Sequence, residues 1–148
     1  MKALVKELLH LTEVRQLTED VRGGVSPVLV TGVGPVHRAQ VEAALAREAE
    51  AIRGKLPASA LLVAMCVEGK LLSSEELSDF LERRAAQGAS HVVFVIGGSF
   101  GLHPSIKERA ELRLSMSPMT FPHHLARVMV LEQIYRACQI AAGTKYHK

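Results

Sequence analysis

The sequence predicts an α/β fold with a largely parallel sheet, and three observations carry that expectation. Val92–Ile96, VVFVI, is a short unbroken apolar run, β-branched and aromatic, with polar residues before it and glycines after it. Leu61–Val67, LLVAMCV, is a second such run. Short continuous apolar runs of this kind read as strands buried on both faces, as parallel strands are. Between and around them the apolar residues recur at helical spacing, and strands alternating with helices give a sandwich of helices on a parallel-rich sheet.

The elements follow in order. Leu4, Leu8 and Leu11, with Val5 and Leu9, predict an amphipathic helix from Met1 to about Leu17, closed by Gly23-Gly24. Ser26-Pro27 introduces a short strand, Val28–Thr31. Gly32 and Gly34 then give G-x-G-x-x-H, which lacks the third glycine of a dinucleotide fingerprint and reads as a plain turn. Val41, Leu45, Ala49 and Ile52 stripe a second helix from Val36 to about Arg53, its outer face carrying Glu42, Arg47, Glu48, Glu50 and Arg53. The strand Leu61–Val67 leads to a predicted turn at Glu68-Gly69-Lys70. Ser73 and Glu76 form a capping-box pattern opening a helix with Leu77, Phe80 and Leu81 inward, stopped by Gly88. After Val92–Ile96, Pro104 opens a helix to roughly Arg113 with Ile106 and Ala110 inward. Leu114–Phe121 is expected to be a short strand entering a loop, and Pro122 to begin the longest helix, reaching about Ala142 before Gly143.

Composition sets limits. At 148 residues, 48% of them hydrophobic, the chain suits one folded domain. Aromatic residues make up 4% with no Trp, which argues against extensive stacking on single-stranded bases. A net charge of +3 tolerates a phosphate-rich partner without demanding one. Cys66 and Cys138 lie in apolar stretches without metal-ligand spacing and read as reduced thiols. The histidines show no paired spacing with an acidic companion, so no metal site is expected. No apolar run reaches the ~20 residues a membrane helix needs. The opening MKALVKELLHLTE carries acids and lacks a small-residue cleavage site, so no signal peptide is expected and the cytoplasm is the predicted location.

Two places invite chemistry. Gly97, Gly98 and Gly101 follow the Val92–Ile96 strand, where an α/β sheet binds ligands beyond its carboxyl edge. A tight strand-to-helix turn with no ligand explains the same glycines. Ser99 and His103 stand beside them, but no G-x-S-x-G elbow is present, so hydrolase chemistry fits poorly. In the last long helix, apolar residues from Leu125 to Ile140 cover more than one face, which predicts a second buried side and hence a homodimer. The ending Lys145-Tyr146-His147-Lys148 reads on composition alone as a frayed polar tail.

Three segments carry a resemblance to a known family: GKLLSSEEL at Gly69–Leu77, FVIGGSFGL at Phe94–Leu102 and LSMSPMTFPHHLARVMVLEQIYRA at Leu114–Ala137, with YHK at Tyr146–Lys148. From about Ala49 to Lys148 the chain resembles the ribosomal large-subunit methyltransferase H family. That resemblance implies a SPOUT-type α/β knot, with a deep carboxyl-terminal trefoil that general topology rules would not anticipate. It implies methylation of N3 of a pseudouridine in large-subunit (23S) ribosomal RNA, with S-adenosylmethionine as donor. The implied partners are that RNA in the assembled ribosome and a second copy of the chain, with neither DNA nor a membrane involved. Residues 1–48 are atypical for the family, forming a helix–strand–helix extension on a single domain. Within them SPVLVTGVGPVHRAQVEAALARE is distantly similar to the opening of bacterial transcription–repair coupling factors, as a hybrid protein would be.

By the same resemblance the donor lies in a cleft of three loops, formed by Met65 after the second apolar run, by Gly97, Gly98 and Gly101, and by Met116, Ser117, Pro118, Met119, Thr120 and Phe121. Methionines and Phe121 suit an adenine ring and a thioether-like chain, although Met65 could equally be simple core filling. The N3 of pseudouridine is a weakly acidic imide, so a proton acceptor is needed. His123 and His147 are the candidates, with Arg127, Tyr146 and Lys148 orienting groups or contacting phosphate. His124 reads equally as an exposed helix start. Two other classes remain open at this level: a donor- or RNA-binding homologue without catalysis, and a structural dimer.

Overall fold

In a computed structural model the described residues are 35–98 and 100–147; the predicted helix from Met1, the strand Val28–Thr31, the Gly32–Gly34 turn, Ser99 and Lys148 lie outside them. In chain order the elements are α1 (Pro35–Lys55), β1 (Leu61–Leu71), α2 (Ser74–Ala86), β2 (Val92–Ile96), α3 (Pro104–Arg109), β3 (Leu112–Ser115) and α4 (His123–Ala141). The strands form a parallel sheet in the order β2-β1-β3. Leu61–Met65 pair with Val92–Ile96 on one side, and Val63–Met65 with Leu112–Leu114 on the other.

Side chains alternate across the pleat, and both faces of β1 are buried. Leu61, Val63 and Met65, with Phe94 and Leu114, face Leu77 of α2 and Val130, Ile134 and Ala137 of α4. Leu62, Ala64, Val93 and Val95 face Ala49 and Ile52 of α1, Leu102, and Ile106 of α3. This two-sided burial is why the strands read as unbroken apolar runs rather than as alternating ones.

Ser73 caps α2 as its spacing predicts: its hydroxyl accepts from the Glu76 backbone N–H at 3.2 Å, and its own N–H donates to the Glu76 carboxylate at 2.7 Å. The buried Ser78 hydroxyl donates to the Ala137 carbonyl at 2.8 Å, and Ser74 donates to Gln133 at 2.6 Å, so two small side chains tie α2 to α4.

Three boundaries differ from the sequence reading. Glu68-Gly69-Lys70 is not a turn but part of β1, which runs on to Leu71. Leu114 lies opposite Met65 and again opposite Lys70, so Cys66–Gly69 bulge outward before pairing resumes. Gly69 is needed there, because a Cβ on it would come within 2.8 Å of the Arg113 and Leu114 backbone. Helix α3 ends at Arg109, short of Arg113, because Ala110 turns extended and the chain pairs as β3 from Leu112. β3 begins at Leu112 rather than at Leu114, and beyond Ser115 the segment to Phe121 is loop, as the sequence reading expects.

Candidate active site

Met65 of the central strand stands between Ile96, the last residue of β2, and Leu114, near the end of β3. Beyond these residues lies a cavity of about 340 Å³, within the usual ~300–1,000 Å³ of small-molecule sites. Met65 and the bulge Cys66–Glu68 form one wall, Gly97, Gly98 and Gly101 a second, and Met116, Ser117, Met119, Thr120 and Phe121 a third, with His123 at the start of α4. The three predicted loops therefore meet. Pro118 is exposed and is not among the lining residues.

Each wall has a local cause. Gly98 and Gly101 form an isolated bridge, closed by a 3.0 Å bond from the Gly101 N–H to the Gly98 carbonyl. Gly101 sits at φ 77°, and a Cβ on Gly97 would fall 2.5 Å from the Gly101 carbonyl group. Only glycine permits that approach. In the third loop the buried Ser115 donates to the Ser117 carbonyl at 3.0 Å, and the Ser117 hydroxyl accepts from the Met119 N–H at 3.0 Å. That turn leaves Met119 70% exposed at the rim.

Met65 is both buried in the core and a wall of the cavity. It also shares with Leu114, Ser115 and Met116 the partition from a neighbouring cavity of about 360 Å³ that extends to Ser73, Ser74 and Glu132.

Charges at the site are paired. Lys107 of α3 reaches across to the Glu68 carboxylate. That contact, foremost, holds the Glu68 carboxyl below its usual range. Burial, then the Glu68 charge, pushes the Cys66 thiol up, which keeps it a protonated lining group rather than a thiolate nucleophile. Sequence reasoning missed both Glu68 and Lys107. They are 39 residues apart, and neither a turn acid nor a helix lysine signals a partner.

His123 is half-buried, with its ring centroid 4.1 Å from that of His124, which is exposed as its helix-start reading expects. Arg127 follows one turn later on α4, half-buried and beside the lining residue Ala126.

The carboxyl-terminal tail is not frayed as far as His147. Its Tyr146 hydroxyl donates to Glu132 at 3.1 Å, its ring meets Tyr135 edge-on at 5.0 Å, and the Arg136 guanidinium lies 5.0 Å from its centroid. Partial removal from water, then the Glu132 carboxylate, raises the Tyr146 phenol above its ordinary value. His147 Nε2 is 2.7 Å from Glu75 of α2, and its Nδ1 is 3.4 Å from Arg136. Within one chain, then, Tyr146 and His147 gather with Glu75, Glu132 and Arg136 and do not line the cavity that holds His123. Among the described residues no group of three or more acidic, histidine or cysteine side chains is arranged to hold a metal.

A parallel sheet with a loop-built cavity beyond its carboxyl edge is the arrangement in which α/β proteins bind small molecules. The family model described as "Predicted SPOUT methyltransferase" matches residues 14–147, and the chain belongs to that family. The match takes in residues 14–48 as well as the segment carrying the motifs. Among curated proteins the chain is 47% identical over 102 residues to the ribosomal RNA large subunit methyltransferase H of Bacillus pumilus. It is 48% identical over 103 residues to the protein of the same name from Bifidobacterium adolescentis. The matches cover 69% and 70% of this chain, and 64% and 65% of those relatives' own lengths.

Proposed function

We propose that this chain transfers a methyl group from S-adenosylmethionine to N3 of a pseudouridine in large-subunit ribosomal RNA. The observation that carries the reading is the meeting of three sequence-distant loops on one cavity, joined with membership of a methyltransferase family. The lining suits the donor. The glycine turn brings backbone close, Met65, Met116, Met119 and Phe121 provide apolar faces for a purine and a thioether-like chain, and Ser117 and Thr120 add hydroxyls. When bound, S-adenosylmethionine supplies an electrophilic methyl on a positively charged sulfur.

The chain's own residues then have separate tasks. The three loops fix the donor and exclude water, so that the attacking nitrogen meets the methyl carbon in line. His123, on the cavity wall, and His147, in the tail, are the candidate acceptors for the imide proton. Arg127, Tyr146 and Lys148 orient the RNA or contact its phosphates. The reading includes the deep trefoil knot of the family, a cytoplasmic location and a homodimer. A stripe on α4 supports the dimer: Leu125, Val128 and Tyr135 are 48%, 63% and 40% exposed on one helix face. Pairing through that face would let the tail of one chain complete the cleft of the other.

The test is transfer of labelled methyl to ribosomes lacking the modification, alongside calorimetric titration with S-adenosylmethionine. Transfer to the large-subunit RNA is expected, with the protein sedimenting as a dimer. Donor binding without transfer would leave a non-catalytic homologue, and a silent titration would leave only a scaffold.

A further inference from the structure

We propose that Glu75 is a positioning residue that holds His147 as the Nε2–H tautomer and leaves Nδ1 as its basic nitrogen. Two contacts point to this independently. The Glu75 carboxylate, 2.7 Å from Nε2, can only accept a hydrogen bond while ionised, so Nε2 must carry the proton. The guanidinium of Arg136, 3.4 Å from Nδ1, can only donate, so Nδ1 must present its lone pair. A proton on Nδ1 would set N–H against N–H.

Glu75 is suited to stay ionised. It lies in the first turn of α2, where the helix dipole favours an anion. Its own backbone N–H, then His147 and Ser73, bring its carboxyl down to about 2. The other side of the ring is equally constrained. Arg136 is itself bonded to Glu132, one turn earlier on α4, and stacks against Tyr146, whose hydroxyl returns to Glu132. The charged groups facing the imidazole are thus Glu75 from α2 and Arg136 from α4, with Glu132 behind the arginine.

The arrangement has the logic of a carboxylate orienting a catalytic imidazole, in which the acid fixes the tautomer and steadies the cation formed when the ring takes a proton. Arg136 marks where the lone pair points, and a substrate N–H arriving there would displace its long contact. The role in turnover rests on the methyltransferase reading above; the tautomer does not.

Nitrogen-15 NMR of the full chain with labelled histidine, followed upward in pH until the ring is neutral, decides the tautomer. His147 is expected to show an unprotonated Nδ1 and a protonated Nε2. Glu75→Ala should move both resonances toward the average of exchanging tautomers, stopping short of it while the long Arg136 contact remains, and Glu75→Gln, which keeps an accepting oxygen, should restore the split. In the labelled-methyl assay Glu75→Ala should lower kcat roughly 10- to 100-fold, the loss typical when a carboxylate that orients a metal-bound histidine is removed. Affinity for S-adenosylmethionine should stay within about twofold, since a residue outside the cavity leaves the donor contacts intact. A protonated Nδ1 on the neutral ring of the unaltered chain, or a Glu75→Ala spectrum that does not change, overturns the proposal. So does full turnover in Glu75→Ala when the unaltered chain is active. An unaltered chain that shows the expected spectrum yet transfers no methyl overturns the methyltransferase reading instead, and the tautomer assignment stands.

Discussion

The cavity and the tail meet the same helix, α4, about two turns apart, and they are held by different forces. At the amino-terminal end His123 joins walls made of strand termini and loop backbone: the glycine turn, the Cys66–Gly69 bulge and the serine-pinned loop before α4. Their shape follows from steric exclusion and from a core buried on both faces of the sheet. Further along α4, Glu132 and Arg136 hold Tyr146 and His147 through ion pairs and hydrogen bonds between half-exposed side chains. Such contacts are individually weak and are screened by salt. The comparison teaches that the cavity is shaped by backbone sterics and core packing, whereas the tail is positioned by charges that solution conditions reach.

Breaking the half shaped by packing should have the largest effect. Gly97→Val would drive side-chain carbons into the Gly101 backbone. It should abolish S-adenosylmethionine binding by calorimetry and lower stability by about 3 kcal/mol or more, with the His147 resonances unchanged. Ile106→Ala, at a fully buried position under the turn, should cost about 2–5 kcal/mol in urea unfolding. It too should leave the tail's spectrum intact. The charged half answers to smaller changes. Ser73→Ala removes the cap that organises the first turn of α2 beside Glu75 and should cost about 1 kcal/mol. Loosening of His147 should be visible by NMR, without loss of donor affinity. Smallest is the effect of acid. The Glu75 carboxyl is lowered from 4.5 to about 2, so its contacts are complete above pH 4.5 and are lost as the pH falls toward 2. Over that window His147 should detach while the NMR methyl resonances of the buried Val63, Val95 and Ile106 persist; simultaneous loss of both would show that cavity and tail are held by the same forces.

Legibility in the sequence follows the same divide. VVFVI and LLVAMCV announce β2 and most of β1 because both faces are buried, and Ser73 with Glu76 announces α2 because its cap is local. Gly97 and Gly101 mark the turn, since their chemistry lies in the backbone they allow. The parts that stayed hidden depend on partners distant in the chain. The continuation of β1 through Glu68-Gly69-Lys70 needs the second pairing with Leu114, and the early end of α3 needs the call of Leu112 into the sheet. Lys107 meets Glu68 only after folding. The tail was least legible of all: nothing local in KYHK reveals that Glu75 and Glu132 wait for it.

The strand order carries a consequence for synthesis. β1 occupies the middle of the sheet, yet both strands that flank it, β2 and β3, lie later in the chain. As the polypeptide leaves the ribosome, LLVAMCV emerges with neither edge satisfied and must wait until Ser115 has followed before both are covered. The nascent chain therefore holds this apolar segment open during elongation, an interval in which a chaperone would have something to offer.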